Sequence, residues 1–185
     1  MNYTTQMDAA RKGILTKELL AVAKKEQMEP EKLVKLVAAG QVVIPANKCH
    51  TCLDPNGIGS ALRTKINVNL GTSRDLNDLD MELQKVNDAV AMGAESIMDL
   101  SSFGDTQKFR RKLTHECPAM IGTVPMYDAI GYLEKDLLEI TAQDFLKVVE
   151  AHAREGVDFM TIHAGINRRA VEAFMREGRK MNIVS

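Results

Sequence analysis

The sequence predicts an α/β protein built from repeated strand–helix units, and three observations support this prediction. First, four short segments are rich in β-forming residues: 65–71, 94–100, 119–127 and 157–163. Second, a segment with helical periodicity follows each of them. Third, the same joint, a glycine, a small apolar residue and an acid, leads into two of them, at Gly93-Ala-Glu95 and Gly156-Val-Asp158. Strands that alternate with helices indicate βαβ units and a parallel sheet.

The first 60 residues predict a small N-terminal extension of helices and loop. Thr16 is a suitable cap for a helix that runs to about residue 26. Pro30 suits the first position of a second helix, which Gly40 ends. Residues 42–45 form a short β-like run, and residues 47–60 are rich in turn-forming side chains, so we expect a loop there.

The segments between the predicted strands show helical spacing. Leu79, Leu83, Val86 and Val90 recur at intervals of four, three and four residues, which is the pattern of one apolar helix face. Thr141, with an acid three residues later, is a variant of the capping box. The predicted helices cover about 78–92, 105–115, 141–155 and 167–177, the last closed by Gly178. The third strand is expected to lead into Tyr127.

Residues 61–185 thus contain four strand–helix units, and an apolar Asn182-Ile-Val-Ser185 follows them. Four units are half of a (β/α)8 barrel of the TIM-barrel type, with the next strand just beginning. A half barrel leaves two open sheet edges and an exposed inner face. We therefore expect either a truncated protein or a chain that pairs with another, with a homodimer as the assembly.

Composition excludes several classes of function. The net charge is −1 and 45% of residues are hydrophobic, so the chain is an ordinary globular protein with no preference for nucleic acid. No apolar run approaches the roughly 20 residues needed to cross a bilayer, so no membrane association is expected. The N-terminus lacks the layout of a signal peptide, which predicts a cytoplasmic protein. Three sparse cysteines argue against a disulfide framework.

A Cys-x-x-Cys pair at Cys49 and Cys52 is the most suggestive short motif. Such a pair can form half of a zinc site or a redox centre. His115 and Cys117 are candidates for the missing half, but their spacing is poor because neighbouring residues tend to point apart. The sequence favours unligated loop thiols, with a metal site and redox chemistry as alternatives.

In parallel α/β proteins, function lies at the carboxyl ends of the strands, and polar or unusual side chains occur there. They are Asn69, Met98 with Asp99, Tyr127 and His163. Asn67 shares a face with Asn69, and two amides among apolar neighbours need hydrogen bonds. Asn69 is therefore either a structural amide or a ligand contact. Met98 is a candidate core residue, Asp99 a turn cap, and His163 either structural or functional. For Arg168-Arg169 a solvated face is favoured over a phosphate contact.

Six motifs, taken in order along almost the whole chain, resemble the phosphomethylpyrimidine synthase family of thiamine biosynthesis. They lie at residues 5–13 (TQMDAARKG), 44–47 (IPAN) with His50, 68–71 (VNLG), 97–101 (IMDLS), 122–127 (GTVPMY) and 161–165 (TIHAG). The resemblance implies a radical S-adenosylmethionine lyase with a (β/α)8 barrel. It also implies conversion of aminoimidazole ribotide to 4-amino-2-methyl-5-hydroxymethylpyrimidine phosphate, with a 4Fe–4S cluster, S-adenosylmethionine and zinc as cofactors.

Carried over residue by residue, the resemblance implies substrate contacts at Asn69, Met98, Tyr127 and His163. Ser185 matches the first residue of the family's Ser-Arg-Gly substrate loop. His50 matches a family position to which we assign no role. The resemblance assigns no catalytic residue and no metal ligand to this chain, because the family's cluster-binding cysteines and metal-binding histidines lie further on.

On this interpretation the chain is an N-terminal piece of such an enzyme and is inactive alone. Three alternatives stay open. One is the paralogous synthase that converts the same ribotide to 5-hydroxybenzimidazole, for cobamide biosynthesis. Another is a non-catalytic half barrel that acts as a binding or assembly subunit. The weakest is an unrelated phosphate-handling barrel.

Overall fold

The computed structural model describes residues 2–177, so the expectations for Gly178, for residues 182–184 and for Ser185 lie outside the described residues. Eight α-helices are described in this range: α1 Gln6–Arg11, α2 Lys17–Lys25, α3 Pro30–Ala38, α4 Leu79–Ala91, α5 Thr106–Glu116, α6 Pro125–Leu133, α7 Ala142–Arg154 and α8 Arg168–Glu177. The strands are β1 Val42–Val43, β2 Ile58–Gly59, β3 Asn67–Leu70, β4 Ser96–Asp99, β5 Met120–Thr123 and β6 Phe159–Met160. A short 3-10 helix occupies Leu137–Glu139.

Strands β3 to β6 form one parallel sheet in the order β3-β4-β5-β6, which is also their order in the sequence. Helix α4 connects β3 to β4, α5 connects β4 to β5, and α6 with α7 connects β5 to β6. The predicted α/β class and the predicted parallel pairing are therefore confirmed. The half barrel stays a prediction.

One face of this sheet packs against helices. Ile97 and Ile121 are fully buried there, and they pack with apolar residues of α4 and α5 such as Val86, Phe109 and Leu113. The predicted apolar face of α4 is the face in this core. Because side chains alternate along a strand, the opposite face carries the neighbours in sequence, including Asn69 and Met98.

The first three helices have a hydrophobic cluster of their own. Leu19, Val22, Leu33 and Val37 are buried in it together with Val42. Here β1 pairs antiparallel with β2, and Gly59 is required because a Cβ at this position would lie 2.1 Å from the carbonyl oxygen of Gln41. The boundary predicted near residue 60 stays a prediction.

The segment that follows β2 covers the amino end of the open sheet face. It helps to enclose a cavity of about 480 Å³, lined in part by Ile58, Leu62, Met98, Met120 and Phe159. Polar side chains, including Arg63, Lys65 and Asn67, complete the lining of this cavity. None of the helices in residues 2–177 is both long and apolar enough to cross a membrane.

The third predicted strand was wrong at its carboxyl end. The sequence predicts a strand that leads into Tyr127, but β5 stops at Thr123 and Pro125 begins α6. Proline fixes φ near the helical value and its missing N–H is not needed at the first helical position. Tyr127 therefore lies in the first turn of a helix.

Other element ends also differ from the prediction. Strand β6 ends at Met160, three residues before His163, which lies in the loop that follows. Helix α1, which the sequence did not predict, is capped by the side chain of Thr5. Strand β2 forms inside the segment predicted as a loop. These are all short elements whose formation depends on a partner rather than on local periodicity.

The two Gly-x-acid joints have the same geometry. Glu95 Oε2 accepts a hydrogen bond from the backbone N–H of Ile66 at 2.7 Å, and Asp158 Oδ2 accepts one from the N–H of Ile121 at 2.8 Å. In both cases the acid directly precedes its own strand; Glu95 binds the residue just before β3, and Asp158 binds a residue within β5. The similarity noted in the sequence therefore reflects a repeated device for aligning neighbouring strands.

Candidate functional site

The carboxyl edge of the parallel sheet brings predicted site residues together in two pairs. Asn69 and Met98 occupy the third position of β3 and β4 and are direct neighbours in the register of the sheet. Tyr127 and His163 are 36 residues apart in sequence, yet their ring centroids are 5.7 Å apart with an angle of 39° between the ring planes. Tilted aromatic pairs at this distance are attractive. Because the four strands are parallel, both pairs belong to the same edge.

Asn69 is held by a chain of side-chain hydrogen bonds on the open sheet face. Asn67 Nδ2 donates to Asn69 Oδ1 at 2.8 Å, and Ser96 Oγ donates to Asn67 Oδ1 at 2.8 Å. The structural interpretation of these amides is thereby supported. Asn69 is also exposed on that face, so its role as a substrate contact stays a prediction.

The ring nitrogen Nδ1 of His163 is a buried polar atom at this edge. It has no hydrogen-bond partner within residues 2–177. A buried ring nitrogen without a partner costs about 1–3 kcal/mol, so native proteins rarely leave one unsatisfied. This atom therefore fits a hydrogen bond to a bound ligand.

Phe159 is a site residue that the sequence reasoning missed. In the register, Met98 pairs with Gly122 and Gly122 pairs with Phe159, so these residues continue the row that begins at Asn69. The Phe159 ring lies over Gly122, where a Cβ would come within 2.3 Å of the ring. The usable signal was the glycine inside a strand, which often marks a close approach of another group.

Hydrogen bonds connect the loop after β3 to the loop after β4 at this edge. Thr72 N donates to Ser101 Oγ at 3.0 Å, and Ser101 N donates to Asp99 Oδ1 at 2.9 Å. Asp99 therefore caps a turn, as its position suggested, and burial raises the pKa of its carboxyl group.

Glu82, buried on α4, accepts a hydrogen bond from Gly71 N at 2.8 Å. Glu82 was not predicted, because the periodicity of α4 indicates only its apolar face.

A second missed feature is a buried cluster of charged and polar side chains, which we call the Asp128 cluster: Thr106, Arg110, Asp128, His152 and Glu155. Asp128 accepts hydrogen bonds from Thr106 Oγ1 at 2.5 Å, Arg110 Nη1 at 3.1 Å and His152 Nε2 at 3.0 Å. Arg110 Nε also donates to Glu155 Oε2 at 2.6 Å.

The cluster joins α5, α6 and α7 to one another and reaches the end of β5, where Thr123 Oγ1 lies 2.9 Å from His152 Nδ1. Burial by itself raises the pKa of the Asp128 carboxyl group. The hydrogen bonds from His152 and Thr106 and the charge of Arg110 outweigh it, so this pKa is lowered.

His50 fastens the N-terminal region to the sheet. Its Nδ1 lies 2.7 Å from Asp158 Oδ2 and its Nε2 lies 2.8 Å from the carbonyl oxygen of Cys117. Both neighbours are acceptors, so a protonated His50 ring can donate to both of them, one hydrogen bond from each ring nitrogen. Burial lowers the pKa of His50, but the hydrogen bond and the charge of Asp158 raise it on balance. This gives the family-like position at His50 a structural role.

The cysteines do not form a metal site in the described part of the chain. Cys49 is exposed, and the Cys52 thiol donates to the carbonyl oxygen of Cys117 at 3.3 Å. Burial raises the pKa of the Cys52 and Cys117 thiols, as expected for unligated thiols away from positive charge. Within residues 2–177 no group of three or more His, Cys, Asp or Glu side chains is arranged to hold a metal ion.

Two further interpretations concern the arginine pair of α8 and the predicted substrate contact at Ser185. Arg168 and Arg169 are exposed at the start of α8, which agrees with the favoured solvated face, and the phosphate contact stays an untested alternative. Ser185 lies outside the described residues.

The chain is similar to known proteins over its whole length. A protein-family model described as "Radical SAM ThiC family" matches residues 5–185. Proteins named phosphomethylpyrimidine synthase are 64% identical in Clostridium novyi (strain NT), and 60% identical both in Clostridium botulinum (strain Okra / Type B1) and in Clostridium tetani (strain Massachusetts / E88). Each comparison covers all 185 residues of this chain.

The chain spans less than half of those relatives: 42% of the first two and 40% of the third. The motifs on which the resemblance rested, the parallel sheet and the family match over almost every residue agree with one another. This chain belongs to the radical SAM ThiC family.

Proposed function

We propose that this chain provides the first half of the barrel of a phosphomethylpyrimidine synthase. The whole protein would convert aminoimidazole ribotide to 4-amino-2-methyl-5-hydroxymethylpyrimidine phosphate, in thiamine biosynthesis, by S-adenosylmethionine radical chemistry. Family membership and the names of the relatives support this proposal. The observation that carries it is the Tyr127–His163 pair at the carboxyl edge of the sheet, with its buried, unpartnered Nδ1.

In this proposal the residues of the chain bind and orient the ribotide. Asn69, Tyr127 and His163 hydrogen-bond the imidazole and ribose, and Met98 packs against the imidazole ring. Ser185 adds a further contact. These groups act by positioning, which is the main contribution a protein makes when a cofactor supplies the reactive species.

Membership in a radical SAM family implies use of S-adenosylmethionine and an iron–sulfur cluster, and we propose zinc as a further metal of the whole enzyme. The described residues do not fit these metal groups, because no three His, Cys, Asp or Glu side chains within residues 2–177 are arranged to hold a metal ion. We therefore assign the ligands to the part of the enzyme beyond this chain and derive no step through them.

The proposal includes the organisation of the whole protein. Residues 1–60 would form the N-terminal extension and residues 61–185 the first four β/α units of a (β/α)8 barrel. The relatives' greater length supports a barrel completed by chain outside these residues. We propose a cytoplasmic homodimer as the working form, and no turnover by residues 1–185 alone.

His163→Gln tests the proposed function in a full-length protein that contains this chain. We expect the Kd for aminoimidazole ribotide to rise about tenfold or more, because one hydrogen bond to a buried ring nitrogen is worth about 1–3 kcal/mol. Isothermal titration calorimetry measures it. The matched control is His115→Gln, since His115 is exposed on α5. Equal affinity of wild type and His163→Gln would contradict the assignment.

Product analysis of the wild-type enzyme separates the proposal from its alternatives. A pyrimidine phosphate supports the proposal, whereas 5-hydroxybenzimidazole would identify the paralogous activity. Ribotide binding without any product, in a protein with a loaded cluster, would favour a non-catalytic binding subunit.

A further inference from the structure

Helix α6 carries Tyr127 at the candidate site, and contacts with α5 and α7 hold its first turn in place. The N-terminal cap of this helix, Val124, makes no side-chain hydrogen bond, and its C-terminal cap, Glu134, has a left-handed backbone with φ of 51°. The helix therefore starts without a side-chain cap, and Pro125 at its first position and the left-handed Glu134 at its end only mark where it starts and stops. Asp128, the residue after Tyr127, provides an anchor instead.

The anchor links α6 to the helices on both sides of it in sequence. Thr106 and Arg110 of α5 and His152 of α7 all converge on the Asp128 carboxylate. Successive residues on a helix are about 100° apart, so Asp128 and Tyr127 face different directions from the same turn. A carboxylate held at three points therefore sets the rotation of α6 about its axis, and the rotation sets where the Tyr127 ring lies.

The Asp128 cluster resists displacement because it is buried and short of acceptors. Arg110 and His152 are each 1% exposed and Asp128 is 4% exposed. Arg110 Nη2 has no hydrogen-bond partner among the described residues, so loss of the Asp128 carboxylate would leave a second nitrogen of this guanidinium unpaired. Buried ion pairs add little to net stability, but breaking one costs about 3–5 kcal/mol. The Asp128 cluster therefore holds α5, α6 and α7 in one relative arrangement.

We propose that Asp128 is a positioning residue for Tyr127, acting through Arg110 and His152 to hold the Tyr127 ring against His163 at the substrate edge of the sheet. The geometric part of this proposal, the position of the Tyr127 ring, rests on the hydrogen bonds that Asp128 accepts from α5 and α7. Its consequence for the ribotide rests on the proposed function.

Fluorine NMR tests the geometric part directly. Full-length protein is labelled with 3-fluorotyrosine, and the resonance of residue 127 is the one lost in Tyr127→Phe. In Asp128→Asn we expect this resonance to shift or broaden. We also expect KM for the ribotide to rise about tenfold or more while kcat changes far less, because a displaced ring weakens binding.

The matched control is Asp144→Asn. Asp144 is also a buried acid with bound partners, but it caps α7 through Thr141 and lies outside the Asp128 cluster. We expect this variant to lose stability while leaving the Tyr127 resonance and KM unchanged. A purely structural role of Asp128 would make the two variants behave alike.

Thr123→Val provides a second test if Asp128→Asn does not fold. It removes only the hydroxyl beside His152 Nδ1 and keeps the shape of the side chain. A Tyr127 resonance that stays unchanged in a folded Asp128→Asn or Thr123→Val protein would overturn the proposal. If the resonance moves but wild-type protein does not bind the ribotide, the positioning is upheld and the proposed function fails.

Discussion

At the scale of single residues, the close approach of Phe159 to Gly122 defines the open face of the sheet. The ring occupies the space that a side chain at residue 122 would need. A ligand that lies beside Asn69 and Met98 therefore meets an aromatic ring next to them in the same row. Glycine at residue 122 is what allows this ring to lie so close to the strand.

Gly122→Ala is expected to destabilise the protein by about 1–3 kcal/mol, because the new methyl group displaces the Phe159 ring. Urea unfolding followed by circular dichroism measures the change. Adding Phe159→Leu is expected to recover part of the loss, since the shorter side chain leaves room.

Gly131→Ala is the matched control for this substitution. Gly131 lies inside α6, and a Cβ added there would meet no atom within 4 Å beyond the backbone of its own helix. The same change should therefore stabilise the protein by about 0.5–1 kcal/mol, because alanine loses less backbone entropy than glycine on folding. A Gly122→Ala protein as stable as wild type would contradict the close contact.

At the scale of elements, local sequence signals predicted the helices with strong periodicity and good caps. Helices α2, α4 and α7 begin after Thr16, Asp78 and Thr141, whose side chains accept hydrogen bonds from the first turn. The start of α6 was not predicted because residues 120–127 form one largely apolar run, and such a run does not distinguish a strand from a buried helix start.

The capping box of α7 makes a prediction at this scale. Thr141 Oγ1 accepts from Asp144 N at 3.2 Å, and Asp144 Oδ2 accepts from Thr141 N at 3.3 Å. Thr141→Ala removes the first of these bonds, so we expect a loss of about 1 kcal/mol in the free energy of unfolding.

Urea denaturation of Thr141→Ala and of Thr64→Ala, an exposed loop threonine, provides the comparison. We expect the loop variant to unfold like wild type. Identical losses in both variants would show that the cap contributes nothing specific.

At the scale of the whole molecule, the alternation of patterns along the chain was enough to predict the parallel sheet and its edge with Asn69, Met98, Tyr127 and His163. The charged contacts behind that edge could not be predicted in the same way. Arg110 and Glu155, for example, are 45 residues apart in sequence. A long-range partner leaves no local periodicity, so each of these side chains looks like an ordinary polar residue of a helix or helix end.

The His50–Asp158 pair joins two distant parts of the chain, and its contribution to stability depends on pH. The pKa of His50 is higher in the folded than in the unfolded protein. Protonated His50 therefore stabilises the folded state fully below its unfolded pKa of about 6.5, and this contribution is lost as pH rises through the folded pKa.

His50→Gln should therefore destabilise the protein most at pH values of about 5.5 to 6, by about 3–5 kcal/mol, and less at a pH of about 9. Unfolding free energies measured across this range test the prediction, with His115→Gln as the control on an exposed ring. A difference between wild type and His50→Gln that grows with pH would contradict a charged His50.

The acids at the two Gly-x-acid joints have a consequence for how the protein is made. Glu95 binds the backbone just before β3 and Asp158 binds the backbone of β5, so β4 and β6 each follow directly on an acid that aligns them with the strand before. Nothing synthesised later is needed to choose the register of these two pairs. In a nascent chain leaving the ribosome, β4 and β6 can therefore be aligned with the strands before them without any later segment.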